Sequence, residues 1–317
     1  KMKISICITT LNEEKTIAPL LKSILAQTIK PDEVIIVDGG STDATASVIS
    51  NFKFPISNEN IKFKFLISKG ASRGKGRNLG INLSKNAIIA MTDAGCVPEK
   101  FWLQRITEPF KNSKVDVVAG FYKMKAKNTF EAAEKVFLGV VPNKFNQNFL
   151  PSTRSIAFRK SIWHEAGGFA EKLFSAEDTF FAYKLVKIKA NLSRVKNARV
   201  EWRMPSTLQE FFIKLMSYAK ADAQSNVFWN PLKRFSSHNI KVILVLFRYL
   251  VSLLLLIFSL KNSIYLPLLI SLIILYIFWS FWKVFRATGE LKSGFWGIIL
   301  QVTADFAVMI GFIHGLF

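Results

Sequence analysis

Three apolar runs, 242–260, 264–282 and 295–317, each come close to the roughly 20 residues that an α-helix needs to cross a hydrocarbon layer ~30 Å thick. They predict three transmembrane helices. The connection 283–294 carries Lys283, Arg286 and Lys292, the approach from Pro231 carries Lys233, Arg234 and Lys241, and the turn 261–263 has only Lys261. Cytoplasmic loops hold the excess of Lys and Arg, so this bias places everything before Pro231 in the cytoplasm and the far end outside. Arg248 and Asp305 interrupt the apolar runs. A charge at that depth faces protein, water or a polar ligand, which leaves Arg248 either contacting a lipid phosphate or, on the plainer reading, snorkelling or pairing with Asp305.

The formal charge is +21 over 317 residues, yet from Pro231 onward there are only eight Lys or Arg and two acidic residues, leaving about +15 on the preceding segment. A basic module suits nucleic acid, anionic headgroups or phosphorylated small molecules, since each offers phosphate to Lys and Arg. The two cysteines, Cys7 and Cys96, have no CxxC neighbour, and neither a structural disulfide nor zinc is expected. The opening KMKISICITT is too short and too interrupted for a signal peptide.

Along that basic segment, strand and helix patterns alternate. Residues 3–10 alternate and are rich in Ile; Ile17, Leu20, Leu21, Ile24 and Leu25 repeat at helical spacing; 33–37 is a short apolar strand. A short helix after Ser41, strands at 63–67, 87–92 and 115–121, and helices near 76–83 and from Phe101 continue the series. Such alternation implies an α/β domain with a mostly parallel, Rossmann-like sheet covered by helices. The stretch 206–230, with Leu208, Phe211, Phe212, Leu215 and Tyr218 on one side, reads either as an interfacial helix or as a core-facing one. The expected domains are 1–230 and an all-α membrane region, 231–317.

Four motifs fall at successive strand ends, where open α/β sheets bind ligands. Thr9-Thr10-Leu11-Asn12-Glu13 ends the first strand and Asp38-Gly39-Gly40-Ser41-Thr42-Asp43 the second. Each has a plain structural reading, as helix cap or glycine turn, but two at adjacent strand ends also offer acceptors for a base or ribose. Lys69–Asn78 is a glycine-rich basic loop entering a helix, which suits a diphosphate through backbone amides and guanidinium groups. Thr92-Asp93-Ala94-Gly95-Cys96 then places a carboxylate where a hard cation can bridge it to that diphosphate.

Taken in order, from Lys3 to about Met204, these motifs resemble the family-2 glycosyltransferases of the GT-A fold. TTLNE, DGGSTD, GKGRN and TDAGC look like the family's strand-end, nucleotide-binding, arginine-asparagine and DxD motifs. Ser155–Arg159, Gly167-Gly168-Phe169 and Glu177-Asp178 look like its acceptor-side segment with the acidic pair. The resemblance implies a UDP- or GDP-sugar donor bound by Thr9, Leu11, Asn12, Glu13, Asp38, Gly40, Arg77 and Asp93. It also implies Mg2+ or Mn2+ on Asp93, and Asp178, with Glu177, as catalytic base of an inverting, metal-dependent transfer.

The sequence departs from the family in two places. Asp93-Ala94-Gly95 lacks the second DxD carboxylate, and Trp202-Arg203 occurs without the QxxRW spacing of processive members. Transfer of one sugar is therefore expected over a processive polysaccharide synthase. A nucleic-acid- or anionic-membrane-binding module is the alternative of another class, disfavoured because acidic strand ends repel phosphate polymers; no nucleic-acid partner is expected. The membrane region points to a membrane lipid or lipid-linked acceptor, with Ser155, Trp202, Arg203 and Arg248 as candidate contacts.

Overall fold

The computed structural model describes residues 2–52, 61–139, 145–173, 176–224 and 238–317, without the side chains of 238–241. The chain divides into two compact units, Lys1–Met124 with Val140–Arg203, and Lys125–Gly139 with Met204–Phe317.

The first unit is built on an eight-stranded sheet. Its parallel part comprises β1 (Ile4–Thr10), β2 (Glu33–Asp38), β3 (Lys62–Ile67) and β4 (Ile88–Met91), and it is followed by β5 (Cys96–Pro98), β6 (Val117–Lys125), β7 (Ile156–Arg159) and β8 (Leu192–Arg203). The order is β3-β2-β1-β4-β7-β6-β8-β5, with β7 antiparallel to β4 and β6, and β5 antiparallel to β8. Every residue of β2 and β4 is buried, as both faces of a parallel strand under helices require. In register, Thr10 lies beside Asp38, Asp38 beside Ile67, and Met91 beside Ile156. All the motif loops therefore leave from one edge of the sheet.

The helices of this unit are α1 (Ile17–Leu25), α2 (Thr45–Ser50), α3 (Arg73–Leu83) and α4 (Trp102–Thr107), with a 3-10 turn at Glu108–Lys111. Beyond the second unit's α5 (Thr129–Leu138), α6 (Lys160–Glu165) and α7 (Glu177–Lys187) complete the set. Helix α1 buries Ile17, Leu20, Leu21 and Ile24, the face that its 3.6-residue period marks. The main core joins Ile35, Val37, Ile89, Val117, Phe158, Trp163, Phe169 and Phe181 across sheet and helices.

The second unit gathers α5, α8 (Leu208–Gln224), α9 (His238–Lys261), α10 (Tyr265–Thr288) and α11 (Leu291–Leu316). Among the described residues, three of its helices are long and apolar enough to cross a membrane, over Val242–Lys261, Tyr265–Thr288 and Leu291–Leu316. The last starts at Leu291 rather than 295, because Gly289, at φ +73, closes α10 and lets the chain turn at once into the next helix. The expected boundary at 230 falls in 225–237, with Lys233 and Arg234, outside the described residues, as does the side chain of Lys241. Of the two readings for Arg248, the structure shows the pair: its guanidinium donates to Asp305 and lies 4.5 Å from the ring centre of Tyr276. Asp305 also accepts from Tyr276 and from Gln301, the latter at 2.9 Å, and Lys283 holds Gln301 from the other side at 2.9 Å.

Candidate active site

The first two motif loops lock each other. Gly39 donates to the Thr10 carbonyl at 2.9 Å, the Asn12 amide to Ser41 at 2.8 Å, and Glu13 to Thr45 at 2.7 Å, while the Asn12 side chain accepts from the Thr42 amide at 2.9 Å. Asn12 adopts φ +56, a left-handed conformation that Asn tolerates better than most residues. Asp38 is fully buried: it accepts from the Gly40 and Ser41 amides at 2.8 and 2.7 Å and from the Ser41 hydroxyl at 2.6 Å. Its carboxylate therefore shapes the turn, with Gly40 at φ +97 supplying the conformation a side chain resists. Leu11 is exposed at the loop tip and Thr9 packs behind it against Gly76.

Helix α3 ties the centre together. Ser72 caps it by accepting from the Lys75 amide at 3.1 Å. Gly74 allows the chain at Ala170 to approach where a Cβ would collide with its carbonyl. Asn78 then grips the second glycine motif, donating to Phe169 and to Glu171, each at 2.9 Å, and accepting from the Phe169 amide at 2.9 Å. Its neighbour Arg77, almost wholly buried, donates to Asp93 at 3.0 Å and to Glu177. Burial opposes a charge on Arg77, but Glu177, Asp93 and Asp178 outweigh it and raise its pKa.

Asp93 keeps about a third of its side-chain surface exposed. Burial works against its ionisation, yet Arg77, then Arg154 and Arg73, overcome that and hold its pKa below the ordinary carboxylate range. Its second oxygen receives a long contact, 3.4 Å, from Thr153. Glu177 and Asp178 open α7, where the helix dipole favours negative charge. They are set there by Ala176 at φ +61, a strained conformation for a residue with a Cβ. Asp178 is half-buried and accepts from Ser152 at 3.1 Å; the second oxygen of Glu177 has no hydrogen-bond partner among the described residues.

The acceptor-side candidates separate. Ser155 is buried, accepting from the Trp102 indole and donating to the Ala198 carbonyl, both at 2.9 Å, so its hydroxyl braces the sheet. Trp202 is a platform: the Arg154 guanidinium lies 4.0 Å from its ring centre and Tyr122 meets it edge-on at 5.5 Å. Arg203 is exposed at the end of β8, and Arg248 belongs to the second unit. Ser152, Thr153 and Arg154, which link Asp178, Asp93 and Trp202, were not among the expected residues. Their only sequence signal was hydroxyl and guanidinium groups crowded just before β7.

Among the described residues no three His, Cys, Asp or Glu side chains gather as a ready metal site. Asp93 alone still fits a hard cation, because Mg2+ is commonly held by one or two carboxylates with substrate phosphates and water. Across the loop, Glu13 lies beside Gly95, 3.9 Å from where a Cβ there would stand.

Comparison with known proteins agrees with this geometry. The chain is 27% identical over 180 residues to the glycosyltransferase AglE of Haloferax volcanii, covering 55% of this chain and 58% of that one. It is 28% identical over 199 residues to the O-antigen chain rhamnosyltransferase RfbN of Salmonella typhimurium, covering 59% and 62%. It thus spans about three fifths of the length of these relatives. The fold is shared with the mannosyltransferase PcManGT of Pyrobaculum calidifontis, solved with GDP-Man and Mn2+ (TM-score 0.55, 17% identity, 72% and 64% covered). It is also shared with residues 1–349 of Staphylococcus aureus TarS, solved with UDP-GlcNAc (TM-score 0.52, 23% identity, 69% and 66% covered). The model of Glycosyl transferase family 2 matches residues 5–171, more than half of the chain and every motif loop from Thr9 to Gly168, and the protein belongs to that family.

Proposed function

We propose that this glycosyltransferase moves one sugar from a UDP- or GDP-sugar to a hydroxyl or phosphate of a lipid-linked acceptor, by an inverting displacement at a membrane-bound cytoplasmic domain. The observation that carries the chemistry is the convergence of Asp93 and Glu177 on Arg77, with Asp178 next in the chain and held by Ser152.

Each group takes the role that its surroundings suit. Asp178, half-buried and oriented by Ser152, takes the proton from the acceptor oxygen as that oxygen attacks the anomeric carbon. Arg77, neutralised by two carboxylates, fixes their relative position. Charge on the departing nucleoside diphosphate falls to Arg73 and Arg154, both close enough to act on Asp93. Asp93 would hold Mg2+ or Mn2+ on the diphosphate, which supplies Lewis-acid stabilisation of the leaving group. The GDP-Man and Mn2+ of one structural neighbour and the UDP-GlcNAc of the other support a nucleotide-sugar donor and a cation. The long apolar helices and the cationic 283–294 connection support the membrane and its orientation. Domains at 1–230 and 231–317 remain the reading for catalysis and anchoring.

The test is release of UDP or GDP from a panel of nucleotide sugars, with and without each cation and with added membrane lipid extract. Cation-stimulated release lost in Asp178→Asn and Asp93→Ala is expected. Release that survives Asp178→Asn moves the base elsewhere, and none with any donor overturns the assignment.

A further inference from the structure

Within the second unit the three long helices differ in what covers them. Of the most apolar window in each, 11% is buried in α9, 17% in α10 and 39% in α11. Exposed apolar residues surround α9 and α10, from Ile243 and Leu244 through Leu275 to Trp282. On α11 they are confined to one stripe at 291, 295, 299, 302, 306, 310, 313 and 316, a spacing of three and four.

The other face of α11 is taken by α5 and α8. At its start, Ser293 donates to the Thr129 carbonyl at 3.1 Å and Trp296 meets Phe130 edge-on at 5.0 Å. At its end, a Cβ on Gly311 would collide with the Met216 carbonyl and one on Gly315 with that of Lys220, with Ala219 and Ala223 alongside. Equal steps along both chains mean that α8 runs parallel to the second half of α11, backbone close to backbone, as small residues allow. Helix α10 contacts the first half, through Phe281 at Gly294 and Tyr276 at Asp305, and over 265–275 only Leu269 is buried. The α9–α10 pair therefore parts from α11 near Asp305.

We propose that α9 and α10 alone form the lipid-inserted anchor, and that the second half of α11 is not a third span but stays with α8 on the side of the catalytic domain, its single apolar stripe resting on the membrane surface. This rests on the membrane-bound reading above and removes the external C-terminal end expected from three spans. Were α11 to cross, α8 would share its depth and carry Lys220 and Asp222 across the hydrocarbon, where charges are costly. The chain leaving Gln224 on the far side would also have to return through segment 225–237, with Lys233 and Arg234 in it, to start α9 on the near side.

Cysteines introduced one at a time at exposed Ser50, Gln224 and His314 (Ser50→Cys, Gln224→Cys, His314→Cys) in the full chain, probed with an impermeant maleimide in right-side-out and inverted membrane vesicles, test this, with the wild type, whose Cys7 and Cys96 are both buried, as the unlabelled control. Labelling of all three from the same side is expected. Labelling of His314→Cys from the opposite side to Ser50→Cys, or protection of both His314→Cys and Gln224→Cys until detergent is added, would overturn the proposal and leave the membrane-bound reading intact. Recovery of the chain in the soluble fraction would overturn both.

Discussion

Arg77 donates to Asp93 at 3.0 Å while its other terminal nitrogen is held by Glu177, one residue before Asp178. One buried guanidinium thus sets the distance between the carboxylate proposed for the diphosphate side and the helix that carries the proposed base. Removing it would leave two carboxylates facing each other in a site that burial already makes unfavourable for charge. Arg77→Ala is expected to cost about 3–5 kcal/mol of stability, as for other broken buried pairs, read as a lowered thermal midpoint in detergent. Arg77→Lys, a point charge without the fork, should keep most of that stability and still lose most donor turnover.

The same pair has a pH signature. Because the folded pKa of Asp93 lies below its ordinary value, its contribution to stability is fully present above the normal aspartate range near 3.9 and is lost as pH falls through the depressed value. The difference in thermal midpoint between wild type and Asp93→Asn should therefore shrink below pH ~4 and stay constant from pH 5 to 7.

Asp178→Asn removes the proton acceptor while keeping its shape. Turnover should fall by roughly 10²–10⁴, the usual worth of positioned general bases, with donor binding, measured calorimetrically, nearly unchanged. Ser152→Ala should act more gently, about tenfold on kcat with the donor KM unmoved, since Ser152 orients Asp178 while itself accepting from Arg154 at 3.1 Å. A comparable loss in donor binding would instead place Ser152 against the substrate.

What could be read from the chain alone follows from how local each feature is. Strands β1 to β4 are parallel and joined in turn by α1, α2 and α3, so the alternation alone puts TTLNE, DGGSTD and TDAGC on one sheet edge. The Arg77–Glu177 contact joins residues 100 apart in sequence, and only the family resemblance brought both into one site. Arg154 and Ser152 stayed hidden because their place depends on β7 entering antiparallel beside β4, which leaves no periodic trace. Nothing in the period of helix α5 says that it leaves the sheet unit to pack on Ser293 and Trp296. Ser155 looked like a contact because a serine in a motif looks the same whether its hydroxyl faces ligand or braces Trp102.

Glu134 of α5 is fully buried and neither of its oxygens has a hydrogen-bond partner among the described residues. Burial first, then Glu131 and Glu210, raise its pKa to about 8, against a smaller opposing effect of Lys214. A raised acid pKa stabilises the fold fully below the unfolded value near 4.3 and loses that stabilisation as pH rises towards 8. Wild-type thermal stability in detergent should thus decline between pH 5 and 9, and Glu134→Gln should flatten the decline and exceed wild type at pH 9. A parallel decline in both proteins would mean that another group governs it.

Asp305 draws Arg248, Tyr276 and Gln301 to one point between α9, α10 and α11. Breaking a buried pair from one side strands the other charge, whereas replacing both by apolar groups of similar volume is often neutral. Arg248→Met, which strands the buried Asp305, should lower the thermal midpoint in detergent by the equivalent of about 3–5 kcal/mol; Asp305→Leu, which strands a guanidinium about a third exposed, should lower it by less, and the double variant should recover most of the loss. Such non-additivity would mark the two residues as one packing unit. Additive losses would show that each is held by its other neighbours, with Tyr276 and Gln301 sufficient for Asp305 and the ring of Tyr276 for Arg248.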